Sequence, residues 1–148
     1  MEILLDTANL ETIKKYNDIY DIKGLTSKPT IISREKGAFF AILCDIRKII
    51  GDEKQLHVQV TADNCEEMQK EAEAIVKRLG KDTYIKVPTN EVGIKTMKAL
   101  KADGYNVTAT AIYTPQQAVM AASVGADYAA PYFNRMCTNN FNAPEAMA

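Results

Sequence analysis

Apolar positions along this chain follow two alternating rhythms. Short runs rich in β-branched and other apolar residues predict strands near Glu2 to Asp6, Lys23 to Thr26, Leu56 to Val60, Tyr84 to Val87, Val107 to Ala111 and Asp127 to Tyr132. Between them, apolar residues recur at spacings of three and four: Leu10, Ile13 and Ile19; Phe39, Ile42, Leu43 and Ile46; Met68, Ala72, Ile75 and Leu79; Val92, Met97 and Leu100. That spacing places one apolar stripe on each of a series of helices. A further helix should open at Thr114-Pro115-Gln116-Gln117, where the threonine can cap, the proline suits the first turn and Gln117 can close a capping box. Gly80 and Gly104 stand where helices should stop.

Six successive βα units imply a parallel sheet covered by helices, either an open doubly wound sheet or a closed barrel. Periodicity does not choose between these. The polar residues do: Asp6, Thr26, Gln59, Lys86, Thr110 and Tyr132 each fall at or near the C-terminal end of a different strand. In a barrel such ends converge on one mouth, where side chains from several strands surround one substrate. The expected fold is therefore α/β, a TIM (β/α)8-type barrel. A closed barrel has eight units and needs ~200 residues or more, so the 148 residues here read as a single domain, 1–148, truncated after six units. A natural truncation, a fragment, or strands supplied by another chain would each account for this, and exposed sheet edges would gain from oligomerisation.

Composition narrows the partners. The 18 Lys and Arg nearly balance the 19 Asp and Glu, without a run of either sign, so neither nucleic acid nor an anionic membrane is an expected partner. No stretch is long enough to span a bilayer, and the opening MEILLDTANL lacks the basic start of a secretory signal. Cys44, Cys65 and Cys137 are odd in number and form no C-x-x-C. They suggest reduced thiols in a cytoplasmic protein rather than a disulfide frame or a zinc site.

The most informative stretch is Tyr84-Ile85-Lys86-Val87-Pro88. Alternation turns Ile85 and Val87 toward the helices and Lys86 toward the interior. Burial there would disfavour the ammonium and leave the neutral amine needed to form an imine with a ketone or aldehyde. The competing reading is a lysine whose stem packs while its charge reaches water. His57, the only histidine, reads as a structural core residue.

Together these stretches give the chain a likeness. ILLDTANL, Gly24-Leu25-Thr26-Ser27-Lys28-Pro29-Thr30, Val58-Gln59-Val60, Ile85-Lys86-Val87-Pro88, Thr108-Ala109-Thr110-Ala111-Ile112-Tyr113 and Ala130-Pro131-Tyr132-Phe133-Asn134-Arg135 resemble, in order and spacing, the transaldolase family and its fructose-6-phosphate aldolase-like branch. The resemblance implies a class I aldolase in which Lys86 forms the Schiff base, needing no metal or organic cofactor. It implies a catalytic water between Gln59, Thr110 and Tyr132, substrate hydroxyls oriented by Asp6 and Thr26, and a sugar phosphate held by Arg135. It also implies a homo-oligomer. Gln59 with Tyr132 resembles the aldolase branch, whereas transaldolases tend to carry a carboxylate and a phenylalanine there.

Beside these roles stand simpler ones. Asp6 could cap a helix beginning at Thr7, Arg135 could be a surface residue, and Gln59 with Tyr132 could be a cross-strand polar pair. One departure concerns the chemistry directly: where the family pattern T-x-N-P has asparagine, this chain has Lys28. Lys28 stands with Thr26 and Arg135 among the candidate substrate-binding residues, and a second cation there could lower the nucleophile's pKa or fill the substrate's place. The expected activity is cleavage or formation of a carbon–carbon bond in phosphorylated sugars such as fructose 6-phosphate. Transfer of a dihydroxyacetone unit between sugar phosphates, and an inactive remnant, are the alternatives.

Overall fold

The structure is a computed structural model that describes residues 2–29, 38–138 and 142–144. In chain order it contains β1 (Leu4–Asp6), α1 (Leu10–Ile19), β2 (Gly24–Thr26), α2 (Phe39–Ile50), β3 (Gln55–Gln59), α3 (Cys65–Leu79), β4 (Tyr84–Pro88), α4 (Glu91–Ala102), β5 (Asn106–Ile112), α5 (Pro115–Ser123), β6 (Tyr128–Pro131) and α6 (Phe133–Thr138). The sheet order repeats the sequence order, β1-β2-β3-β4-β5-β6. A doubly wound sheet reverses its strand order at a switch point. This one does not, which removes the open-sheet alternative and leaves the barrel-type topology.

The chain divides into two compact units, residues 1–61 with 70–84, and residues 62–69 with 85–148. In the first, β1 pairs with β2 and β2 with β3, all parallel, with Asp6 opposite Thr26 and Thr26 opposite His57. Ile13, Ile22, Leu25, Leu43, Ile46, Leu56 and Val58 form its apolar interior. Each such side chain contributes about 1.5–3 kcal/mol when fully buried. The α1 stripe is shorter than its spacing suggests, because Ile19 in its last turn is exposed. Its cap is Asn9, whose side chain accepts from the Thr12 N–H, so the capping role considered for Asp6 falls to another residue.

In the second unit β5 and β6 are parallel, and Ile85, Val87, Met97, Leu100, Val107, Ala109 and Met136 are buried. Gly93, in the first turn of α4, lies so close to the end of β4 that a Cβ there would overlap the Pro88 carbonyl. Only glycine lets α4 pack so near the lysine strand. The capping box at α5 is complete: Thr114 accepts from the Gln117 N–H, and Gln117 reaches back to the Thr114 N–H. Gly80 and Gly104 both follow helices with positive φ, 100° and 80°. At the other end, β6 stops at Pro131, so Tyr132 lies just past the strand, and α6 follows directly from Phe133.

Candidate functional site

Lys86 sits mid-strand in β4, is 2% exposed, and among the described residues has the greatest volume of the fully buried side chains. Its neighbours Ile85 and Val87 are wholly buried, so the strand is covered on both faces. Long charged side chains are almost never buried to this degree without a partner or a use, and Lys86 does make an interaction within the structure.

Beyond Lys86 in the same unit stands a second group. Thr110, wholly buried on β5, brings its Oγ1 to 3.3 Å from the Tyr132 hydroxyl. The Tyr132 ring meets Tyr113 edge-on at 5.7 Å, and the exposed Arg135 guanidinium lies 5.2 Å from the centre of the Tyr132 ring. Tyr132 is tied to the backbone from both sides, its N–H donating to the Ile112 carbonyl and its carbonyl accepting from Met136. Arg135 therefore lies on α6, one turn along the helix, with its charge accessible to an anion.

The first unit holds the other polar strand ends. Asp6 accepts from Thr26 Oγ1 at 2.6 Å through one oxygen and from Lys28 Nζ at 3.0 Å through the other. The lysine at the unexpected position thus forms an ion pair with the carboxylate of β1, and both partners are partly exposed. Gln59 ends β3 beside a cavity of about 360 Å3, lined mainly by Phe39, Phe40, Ala74 and Ile75. Its Oε1 is buried and accepts no hydrogen bond among the described residues. A buried acceptor of this kind calls for a donor from water or a ligand.

His57 fills the structural role expected of it. It is buried, stacked on Tyr84 at 4.5 Å and within 3.1 Å of Gln55 Oε1. Arg47 on α2 is a structural cation: its guanidinium donates to the Gly51 and Lys54 carbonyls and to Thr83, and burial lowers its pKa against the opposing pull of Asp52 and Asp82. Among the described residues no three His, Cys, Asp or Glu gather to hold a metal, and no helix is long and apolar enough to cross a membrane.

Two features near Thr110 escaped the sequence pattern. Thr89, directly after the K-V-P stretch, is buried and donates to the Thr110 carbonyl. Ala111 has φ 56°, a left-handed conformation with no glycine to announce it. The only available hint for Thr89 was a hydroxyl continuing the polar end of the lysine strand.

Comparison with known proteins identifies relatives of the whole chain. Residues 3–146 match the family described as Transaldolase/Fructose-6-phosphate aldolase. Over 144 residues the chain is 46% identical to a probable fructose-6-phosphate aldolase of Streptococcus pneumoniae, covering 97% of this chain and 65% of that protein. A probable transaldolase of Nitrosopumilus maritimus is 37% identical over 136 residues, covering 92% of this chain and 60% of the relative. The chain thus spans rather less than two thirds of the length of these relatives. Among solved structures, KGPDC from Streptococcus mutans aligns with a TM-score of 0.62 at 16% identity, over 98% of this chain and 67% of that one. Dihydrodipicolinate synthase from Rhodopseudomonas palustris aligns with a TM-score of 0.53 at 15% identity, over 79% and 48%. At such identities the structural likeness establishes the fold, which is that of TIM-barrel enzymes.

Proposed function

This chain belongs to the transaldolase/fructose-6-phosphate aldolase family, and from that premise we propose that it acts as a class I aldolase on phosphorylated sugars, with Lys86 as the nucleophile. The observation that carries this reading is the burial of Lys86 between two buried apolar residues on β4. Burial penalises the ammonium and favours the neutral amine that attacks a carbonyl. Amine and ketone then lose one water to give an imine. With the imine as electron sink, cleavage of the adjacent carbon–carbon bond leaves an enamine, and the chemistry requires no further electron-withdrawing group.

The remaining roles follow from what each side chain can donate or accept. Thr110 and Tyr132, 3.3 Å apart, are suited to hold the water that carries protons to and from the substrate. Gln59, at the end of β3, offers a buried acceptor to a water or a substrate hydroxyl. Asp6, steadied by Thr26 and Lys28, orients hydroxyls, and Arg135 attracts the phosphate. The substrate in this reading is a ketose such as fructose 6-phosphate, split into dihydroxyacetone and glyceraldehyde 3-phosphate. We place the protein in the cytoplasm, in keeping with three free cysteines, and propose a homo-oligomer as the family resemblance implies.

The similarity to proteins named as probable transaldolases supports a second reading, in which the same enamine passes to an acceptor aldose. Incubation with ketose alone separates the two. Free dihydroxyacetone indicates the aldolase, whereas product that appears only with added aldose indicates transfer. The Schiff base itself is tested by borohydride trapping with fructose 6-phosphate and with dihydroxyacetone. A stable adduct should map to the Lys86 peptide and be absent from Lys86→Ala; folded protein that traps neither compound refutes the reading.

A further inference from the structure

Strand β5 is irregular at the point where its hydroxyl chemistry lies. Its register with β6 shifts between Thr110 and Ile112, and the residue between them, Ala111, has φ 56°. Among the described residues it is the one non-glycine with positive φ. An L residue in that region costs about 1–2 kcal/mol, so it persists only where neighbours hold it.

Those neighbours come from three elements. Past the end of β4, Thr89 donates twice to the Thr110 carbonyl, through its N–H at 2.8 Å and its hydroxyl at 2.9 Å. After β6, the Tyr132 N–H donates to the Ile112 carbonyl at 3.0 Å. From α5, Gln117 accepts from the Tyr113 N–H at 2.8 Å and donates to the Thr89 carbonyl at 2.9 Å. The irregularity is thus gripped on both sides of Ala111, and Gln117 locks Thr89 to the same segment. A bulge bends its strand and re-aims the side chains beside it. Here the side chain beside it is Thr110, whose Oγ1 points at the Tyr132 hydroxyl.

We infer that Thr89 is a positioning residue: its buried hydroxyl, sharing the Thr110 carbonyl with its own N–H, holds the Ala111 bulge in the form that aims Thr110 at Tyr132. It rests on the proton-transfer role proposed above for that pair. Thr89 acts through the Thr110 backbone and has no part in imine formation. Thr89→Val removes the hydroxyl while leaving the backbone N–H on the Thr110 carbonyl, so no buried acceptor is orphaned. Thr89→Ser restores the hydroxyl.

The experiment measures two steps on each purified protein. Borohydride trapping with dihydroxyacetone reports imine formation at Lys86, and loss of the ketone's C–H signal in heavy water reports proton transfer from the imine. Thr89→Val should trap to within about twofold of wild type while exchange slows ~10-fold or more, part of the ~100- to 10,000-fold that a well-placed acid–base group supplies. Thr89→Ser should recover most of the exchange rate. Unchanged exchange in Thr89→Val overturns the inference, and so does an equal fall in trapping and exchange, which marks general structural damage. If wild type traps nothing, the Schiff-base reading fails before any variant is compared, and the inference falls with it.

Discussion

Replacing Lys86 by methionine separates the chemistry of this residue from its packing. Methionine keeps an unbranched side chain of similar volume at this position of β4 but removes the nitrogen. Exchanging a buried charge for a well-packed apolar group of similar size stabilises proteins by about 1–4 kcal/mol, provided no partner is left stranded. Lys86 is 2% exposed, so most of its desolvation cost is present in the native state. It also makes an interaction that the variant forfeits; the partner left behind costs at least about 1 kcal/mol, which brings the expected net gain to the lower end, ~1–2 kcal/mol. For a chain of this size that corresponds to an increase in Tm of roughly 3–10 °C. Thermal unfolding followed by circular dichroism measures it, and borohydride trapping on the same sample should show no adduct. A Lys86→Met protein that melts below wild type would mean that the lysine side chain is a net structural asset, and the stability reasoning fails. One that still traps dihydroxyacetone would show that another amine is the nucleophile.

Thr110→Val removes the hydroxyl that meets Tyr132; turnover of ketose should fall ~100-fold or more while the Lys86 adduct still forms, as read by comparing steady-state rates with trapped mass. Lys28→Asn breaks the ion pair with Asp6, and because both partners are partly exposed the urea midpoint should correspond to a change below about 1 kcal/mol. The freed Asp6 oxygen should lower KM for hydroxylated ketoses, and an unchanged KM would remove Lys28 from the substrate's path. Asp127 accepts from Lys101 through both oxygens and from the Val107 N–H at 2.7 Å. Asp127→Asn should therefore cost about 1.5–3 kcal/mol in chemical denaturation, the range for hydrogen bonds to a charged group; a loss below half of the lower figure would show the contact to be incidental.

Candidate residues were legible in the sequence where a local pattern was broken. Lys86 interrupts an apolar strand, and the capping residues of α5 stand in a fixed order, so neither needed knowledge of distant neighbours. Gly80 and Gly104 announced helix ends for the same reason, since a positive φ is cheapest without a Cβ. What a side chain faces is a different kind of information. Asp6 could have capped a helix or met other strands, and the choice was made by Thr26 and Lys28, brought to its two oxygens by parallel pairing.

Ala111 is the sharpest case of the second kind. Nothing in Thr110-Ala111-Ile112 signals a left-handed residue, because the contacts that stabilise it belong to Thr89, Tyr132 and Gln117. Local preference argues against the conformation, and several hydrogen bonds made elsewhere outweigh it. A break between local preference and observed structure is where functional constraint is expected to concentrate. On that argument the bulge in β5, rather than the better-formed strands around it, is the place to look for residues that tune the reaction without touching the substrate.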